Sequence, residues 1–132
     1  MKTYTIGNQV FAIFDSSDKG GIWSLQFIWG KKDFRVNLSR RATAPATVGH
    51  AVMASSAGEE VVMSRFQYLY NFEWFDFVEV ADHGLASEKI RFRREKITRY
   101  VELPKDFYDI AVELACTVFS LKRTDRKTKL AG

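Results

Sequence analysis

The sequence predicts an α+β domain, an antiparallel β-meander followed by a long C-terminal amphipathic helix, and three observations carry that reading. Two alternating runs flank a glycine-containing loop between residues 22 and 38. A third alternation opens at residue 88. From residue 104 onward apolar side chains recur at helical spacing. With 132 residues the chain is long enough to bury one core without staples, and 46% hydrophobic with 27% charged residues is ordinary for a globular domain. The expected organisation is one domain over 1–123 and a basic tail over 124–132, with no internal repeat.

Residues 9–14 form a short apolar strand, and 15–21 are dense in turn residues. Trp23, Leu25, Phe27 and Trp29 then share one strand face against Ser24 and Gln26. Gly30-Lys31-Lys32-Asp33 turns the chain into a second strand with Phe34, Val36 and Leu38 opposite Arg35 and Asn37, a hairpin pattern. Residues 40–58 change to small side chains with Pro45, Gly49 and Gly58. The expectation there is a flexible segment with a partial helix over 47–57. Over 60–82 a helical spacing (Val62, Phe66, Leu69) competes with strand chemistry. The density of β-branched and aromatic residues decides for two strands, 60–72 and 74–81.

After the turn Asp82-His83-Gly84, Ile90 and Phe92 alternate with Lys89, Arg91 and Arg93. The phase slips around Arg94-Glu95-Lys96, which marks a bulge or a tight turn between two strands. The helix is expected to start at Pro104, with Asp106 in its first turn. Phe107, Ile110, Ala111, Leu114, Val118 and Leu121 line one side; Tyr108, Val112, Ala115 and Phe119 flank them. A helix apolar over so wide an arc is covered on two sides. Self-association through the helix, giving a homo-oligomer, is the expectation, and the 40–58 segment is the competing cover.

Catalytic and metal chemistry find little support. His50 and His83 stand far apart, and Cys116 is a lone cysteine on a helix expected to be packed, where it acts as a small hydrophobe. Ser55-Ser56 lacks a nucleophile-elbow context, and Gly20-Gly21 is no phosphate loop. A cation site joining His83 to Glu79, Asp82 and Asp76 is outweighed by a solvated strand edge. A non-enzymatic protein without catalytic residue, cofactor or metal is therefore expected. One cysteine, a polar opening at Thr3-Tyr4-Thr5 and no apolar span argue for an intracellular protein without a membrane partner.

Charge is the informative feature. The net charge is +4, but seventeen of the 20 Lys and Arg fall within 31–41, 89–105 and 122–129, whereas 59–88 carries seven acids against Arg65 alone. Basic strands interleaved with rings suit single-stranded DNA or RNA, where cations follow the phosphates and rings stack on bases. The candidate contacts are Lys31, Lys32, Arg35, Arg40, Arg41, Arg91, Arg93, Arg94 and Arg99, with Tyr68 and Tyr100 as stacking residues. The bland reading is that Trp23 and Trp29 are core and the arginines protect strand edges. A β-meander, a following helix and a basic, aromatic sheet surface resemble the single-strand-binding folds of the Whirly and transcriptional-coactivator type. The lysine-glycine-lysine signature of Whirly proteins is missing, so no functional residue carries over. The alternative is a protein-interaction module, such as an inhibitor, an assembly factor or a phage accessory, that uses the acidic 59–88 stretch and the C-terminal helix.

Overall fold

Antiparallel pairing accounts for nearly all the regular structure in the computed structural model, which describes residues 1–44 and 51–125. The elements in chain order are β1 (Lys2–Ile6), β2 (Gln9–Lys19), β3 (Ile22–Trp29), β4 (Lys32–Arg40), a 3-10 turn (Arg41–Thr43), β5 (Val52–Ala54), β6 (Glu60–Tyr70), β7 (Glu73–His83), β8 (Ser87–Arg94), β9 (Ile97–Pro104), α1 (Phe107–Phe119) and β10 (Lys122–Arg123). The main sheet runs β1-β2-β3-β4-β6-β7-β8-β9, and β5 leaves that path to pair with both β6 and β10.

The meander follows from strand chemistry joined by two-residue turns. Gly20 and Gly21 both have positive φ, as such a turn demands, and a Cβ on Gly21 would stand 2.6 Å from the Arg40 side chain. The expected loop over 15–21 is therefore only this pair, because β2 continues to Lys19. The polar opening of the chain is also a strand, β1, paired to β2. The phase slip at Glu95-Lys96 is a tight turn between β8 and β9. Within the 40–58 segment a helix is not formed at 51–57: Val52–Ala54 is strand and Ala51 and Met53 are buried. The rest of that expectation, and His50, lies outside the described residues.

Alternation sorts the strands into an inner face toward α1 and an outer face away from it. Phe11, Phe27, Phe34, Phe66, Ile90, Phe92, Val101 and Leu103 fill the inner side with the buried residues of α1. Trp23 is core as well, the bland reading of that side chain. Phe107 is the hub: its ring lies 5.0 Å from Phe34, 5.6 Å from Trp29, 6.1 Å from Phe11 and 6.4 Å from Phe66, so it touches β2, β3, β4 and β6. Tyr108 adds Phe66 and Phe77, on β6 and β7, at 5.7 and 5.4 Å.

The helix has 13 residues, shorter than the sequence predicts, and Pro104 ends β9 rather than opening α1. Its start is set by Asp106 in a left-handed conformation without a side-chain cap. The Asp106 N–H instead donates to Glu88 Oε1 at 3.0 Å, from β8. Phe107, Ala111 and Leu114 on one flank and Val112 and Ala115 on the other are all buried within the chain. The curled sheet thus covers part of the wide apolar arc, and Ile110, Val118, Phe119 and Leu121 remain partly exposed. After α1 the chain is tied back. Arg123 donates to Asp109 at 2.8 Å and to Asp125 at 2.9 Å, and the Thr124 N–H donates to the Val52 carbonyl. No described helix is long and apolar enough to cross a membrane.

Two expected outcomes follow from this packing. Phe107→Ala leaves a cavity at the hub, and chemical denaturation should show a loss of about 3–5 kcal/mol. Burial, reinforced by the Glu113 charge, raises the Cys116 thiol from 9.0 to about 11, and burial raises the Tyr108 phenol from 10.0 to about 12. The unfolded chain releases both protons first, so stability is intact below about pH 9 and falls as pH rises toward 12. Thermal unfolding across that window should decline less steeply in the Tyr108→Phe/Cys116→Ala variant.

Candidate nucleic-acid interface

The outer face carries a transverse row set by register: Gln26, Arg35, Gln67, Asp76, Arg93 and Thr98 on six consecutive strands of the main sheet, β3 to β9. Arg35 and Arg93 therefore do lie in one row of one face, as the sequence reading required, but they are not neighbours. Gln67, only 3% exposed, sits next to Arg35 and accepts from its Nε at 2.9 Å and Nη2 at 2.6 Å. Gln67 Nε2 donates to Asp76 Oδ1 at 2.9 Å, and the same oxygen meets Arg65 Nε at 3.3 Å. The Arg35 guanidinium also lies 4.2 Å above the Trp74 ring. Burial, then the nearby Arg65 charge, pulls the Arg35 pKa down.

The acidic stretch and the basic strands turn out to be each other's partners. Across the β7–β8 ladder Asp76 faces Arg93, Glu79 faces Arg91 and Asp82 faces Lys89. Arg91 bonds Glu79 at 2.8 Å, Arg94 bonds Glu73 at 3.0 Å, Arg40 bonds Glu59 at 3.0 Å and Arg41 approaches Glu60 at 3.9 Å. Opposite charges on adjacent strands stabilise the pairing modestly, about 0.2–1 kcal/mol each at an exposed site. The continuous positive track expected from Arg35, Arg91 and Arg93 is thus interleaved with carboxylates. The acidic surface expected for a protein partner is likewise matched within the chain.

The two stacking candidates separate. Tyr100, 56% exposed, pairs with Arg91 on the outer face. Tyr68 is on the inner face, half-buried between Phe34 at 5.5 Å and Phe92 at 5.4 Å, and burial raises its pKa. They do not form one platform. Arg99 is inner-facing too. Its guanidinium lies 3.6 Å over the Tyr70 ring, and its Nε is buried without a hydrogen-bond partner.

Topology gathers what remains. In a meander alternate turns fall on the same sheet edge. Gly30-Lys31, Asn71-Phe72 and Glu95-Lys96 are therefore side by side, with Asp33 opposite Leu69 and Asp76 opposite Arg93 fixing the register. This edge brings together Lys31, Lys32, Arg93, Arg94, Lys96 and Arg99 with Asp33, Glu73, Asp76 and Glu95, and Arg94 is held by Glu73 at 3.0 Å. Arg93 Nε donates to the Glu95 carbonyl at 2.6 Å, and Lys32 lies 5.6 Å over Trp29. Tyr70 is 39% exposed and Phe72 is 95% exposed.

Sequence reasoning missed Phe72 because it placed that residue inside a strand. The signal was Asn71 at the first position of a two-residue turn, where a positive φ is tolerated. Phe72 itself has φ 65 where glycine is the expected residue, a strain of about 1–3 kcal/mol.

Elsewhere a cleft of about 270 Å³ opens between the base of the β7–β8 hairpin and the first turn of α1, lined by Phe77, Val80, His83, Glu88, Asp106, Tyr108 and Asp109. It brings His83 to Glu88, 2.9 Å away, and not to Glu79 or Asp76, which face the outer side. Among the described residues no group of three His, Cys, Asp or Glu has the geometry to hold a metal ion.

The chain matches no family model, and no curated protein or solved structure is significantly similar to it.

The outer-face network gives a direct check. Gln67→Met keeps the volume but removes the acceptor of both Arg35 donors and the donor to Asp76. Chemical denaturation should show a loss of about 1–3 kcal/mol.

Proposed function

We propose that this protein binds single-stranded nucleic acid along the edge formed by the turns Gly30-Lys31, Asn71-Phe72 and Glu95-Lys96. The observation that carries the reading is the concentration of cations and exposed rings on that one edge, while on the outer face Arg91 and Arg65 meet Glu79 and Asp76 and Arg35 is held by Gln67. Lys31 and Lys32 on one side and Lys96 on the other flank Tyr70 and Phe72. Cations at that spacing follow a phosphate backbone, and the rings offer faces to bases. The basic residues Arg126, Lys127 and Lys129 add charge near the chain's end. A single strand is favoured over duplex because α1 is packed against the inner face and presents no helix to a major groove.

In this reading Lys31, Lys32 and Arg99 keep the role expected from sequence, whereas Arg94 is held by Glu73. Arg35, Arg40, Arg41 and Arg91 act in the fold through Gln67, Glu59, Glu60 and Glu79. Fluorescence anisotropy with a labelled single-stranded oligonucleotide at several salt concentrations tests it. Lys31→Ala/Lys32→Ala should weaken binding about ten-fold and flatten the log–log salt slope by about 1.4, the value for two lost phosphate contacts. Arg35→Ala should leave affinity within about two-fold. Equal affinity of the lysine variant and the parent protein refutes the edge as the binding surface.

A further inference from the structure

We propose that Phe72 is a base-stacking residue, and that it gives this edge its discrimination between unpaired and paired bases. The inference rests on the nucleic-acid reading above and assigns the specificity of that same surface.

Phe72 is disfavoured by the fold in two ways. Its ring is 95% exposed, and its backbone occupies the left-handed region, φ 65, that a bulky residue avoids. The preceding Asn71, φ 52, is a residue the turn accepts, and glycine at 72 would satisfy the turn without either penalty. At 95% exposure the ring gains almost no burial to offset these terms.

Its place in the fold indicates the partner. Along β6 the inner-face rings Phe66, Tyr68 and Tyr70 succeed one another toward the edge, with Tyr68 and Tyr70 6.4 Å apart. Phe72 follows in the turn just beyond β6, and exposure rises from Phe66 at 4% through Tyr70 at 39% to Phe72 at 95%. The Arg99 guanidinium already covers one face of Tyr70, which leaves Phe72 as the ring with its faces open.

A phenyl ring has no hydrogen-bonding atom, so it recognises a flat apolar face, and Lys31 and Lys96 on the flanking turns, beside Glu73 and Glu95, favour a face attached to an anion. An unpaired nucleobase on its phosphodiester meets both conditions. A base inside a duplex does not, because its faces are already stacked.

The test compares the full chain with Phe72→Gly and Phe72→Trp, using labelled single-stranded and duplex oligonucleotides, anionic phospholipid vesicles and thermal unfolding. Phe72→Gly should raise Tm, because it relieves the turn. It should weaken single-strand binding about ten-fold, leave duplex affinity unchanged and keep the salt slope of the parent protein, since a stacked ring releases no counterions. Phe72→Trp should retain the affinity. If Phe72→Gly binds the single strand as tightly as the parent while Lys31→Ala/Lys32→Ala does not, the stacking role is overturned and the nucleic-acid reading stands. If the parent binds no oligonucleotide, both fall together. If it binds none but loses vesicle binding on Phe72→Gly, the ring is a membrane contact and the proposal is likewise overturned.

Discussion

Phe107 is the residue on which the rest of this structure depends. One ring at the first turn of α1 touches side chains from β2, β3, β4 and β6, and the adjacent Tyr108 extends the contact to β7. A sheet of this breadth has a strong twist and coils unless something fixes its curvature. A short helix anchored by two rings sets that curvature, because each strand must approach closely enough to pack on the same pair. Phe92 on β8 reaches Tyr68 on β6, and Arg99 on β9 reaches Tyr70, so the far half of the sheet curls over the inner face.

Strand adjacency and register decide which charges face each other. The acidic β7 and the basic β8 are neighbours with Asp76, Glu79 and Asp82 opposite Arg93, Arg91 and Lys89. The outer face is then a network of opposed charges with a buried amide, Gln67, at its centre. Such a network specifies register, since a one-residue slip brings every side chain to the other face. The topology also brings cations to the ends of β4, β8 and β9, and the exposed rings of Tyr70 and Phe72 stand among them.

Much of the fold was legible in the residues. The alternation of Trp23, Leu25, Phe27 and Trp29 against Phe34, Val36 and Leu38 marked a hairpin, and it is β3–β4 in register. Ile90 and Phe92 marked β8, and the slip at Arg94-Glu95-Lys96 marked its turn. Residues 15–19 were misread because Asp and Ser are turn formers, yet in β2 they pair with β3 across a full ladder, and pairing overrides local preference. The helix start was misplaced at Pro104 because a proline there also suits the last residue of an edge strand. Its cap comes from Glu88 in another element, and no local pattern encodes a cap supplied by a distant strand.

The candidate site divides the same way. Sequence alone determined that the protein is antiparallel, aromatic-rich and electrically segmented, because periodicity and composition are local properties of the chain. It also determined that a turn follows Trp29, although that turn is only Gly30-Lys31 and Lys32 already opens β4, and that Arg91 and Arg93 share a face. Only the tertiary structure decided that Glu79 meets Arg91 and Gln67 meets Arg35, that Tyr68 and Tyr100 lie on opposite faces, and that Phe72 stands at a strained tip between two basic turns. Each of these depends on which strand lies beside which and in what register. Both belong to the pairing of whole strands, which no local pattern of residues encodes.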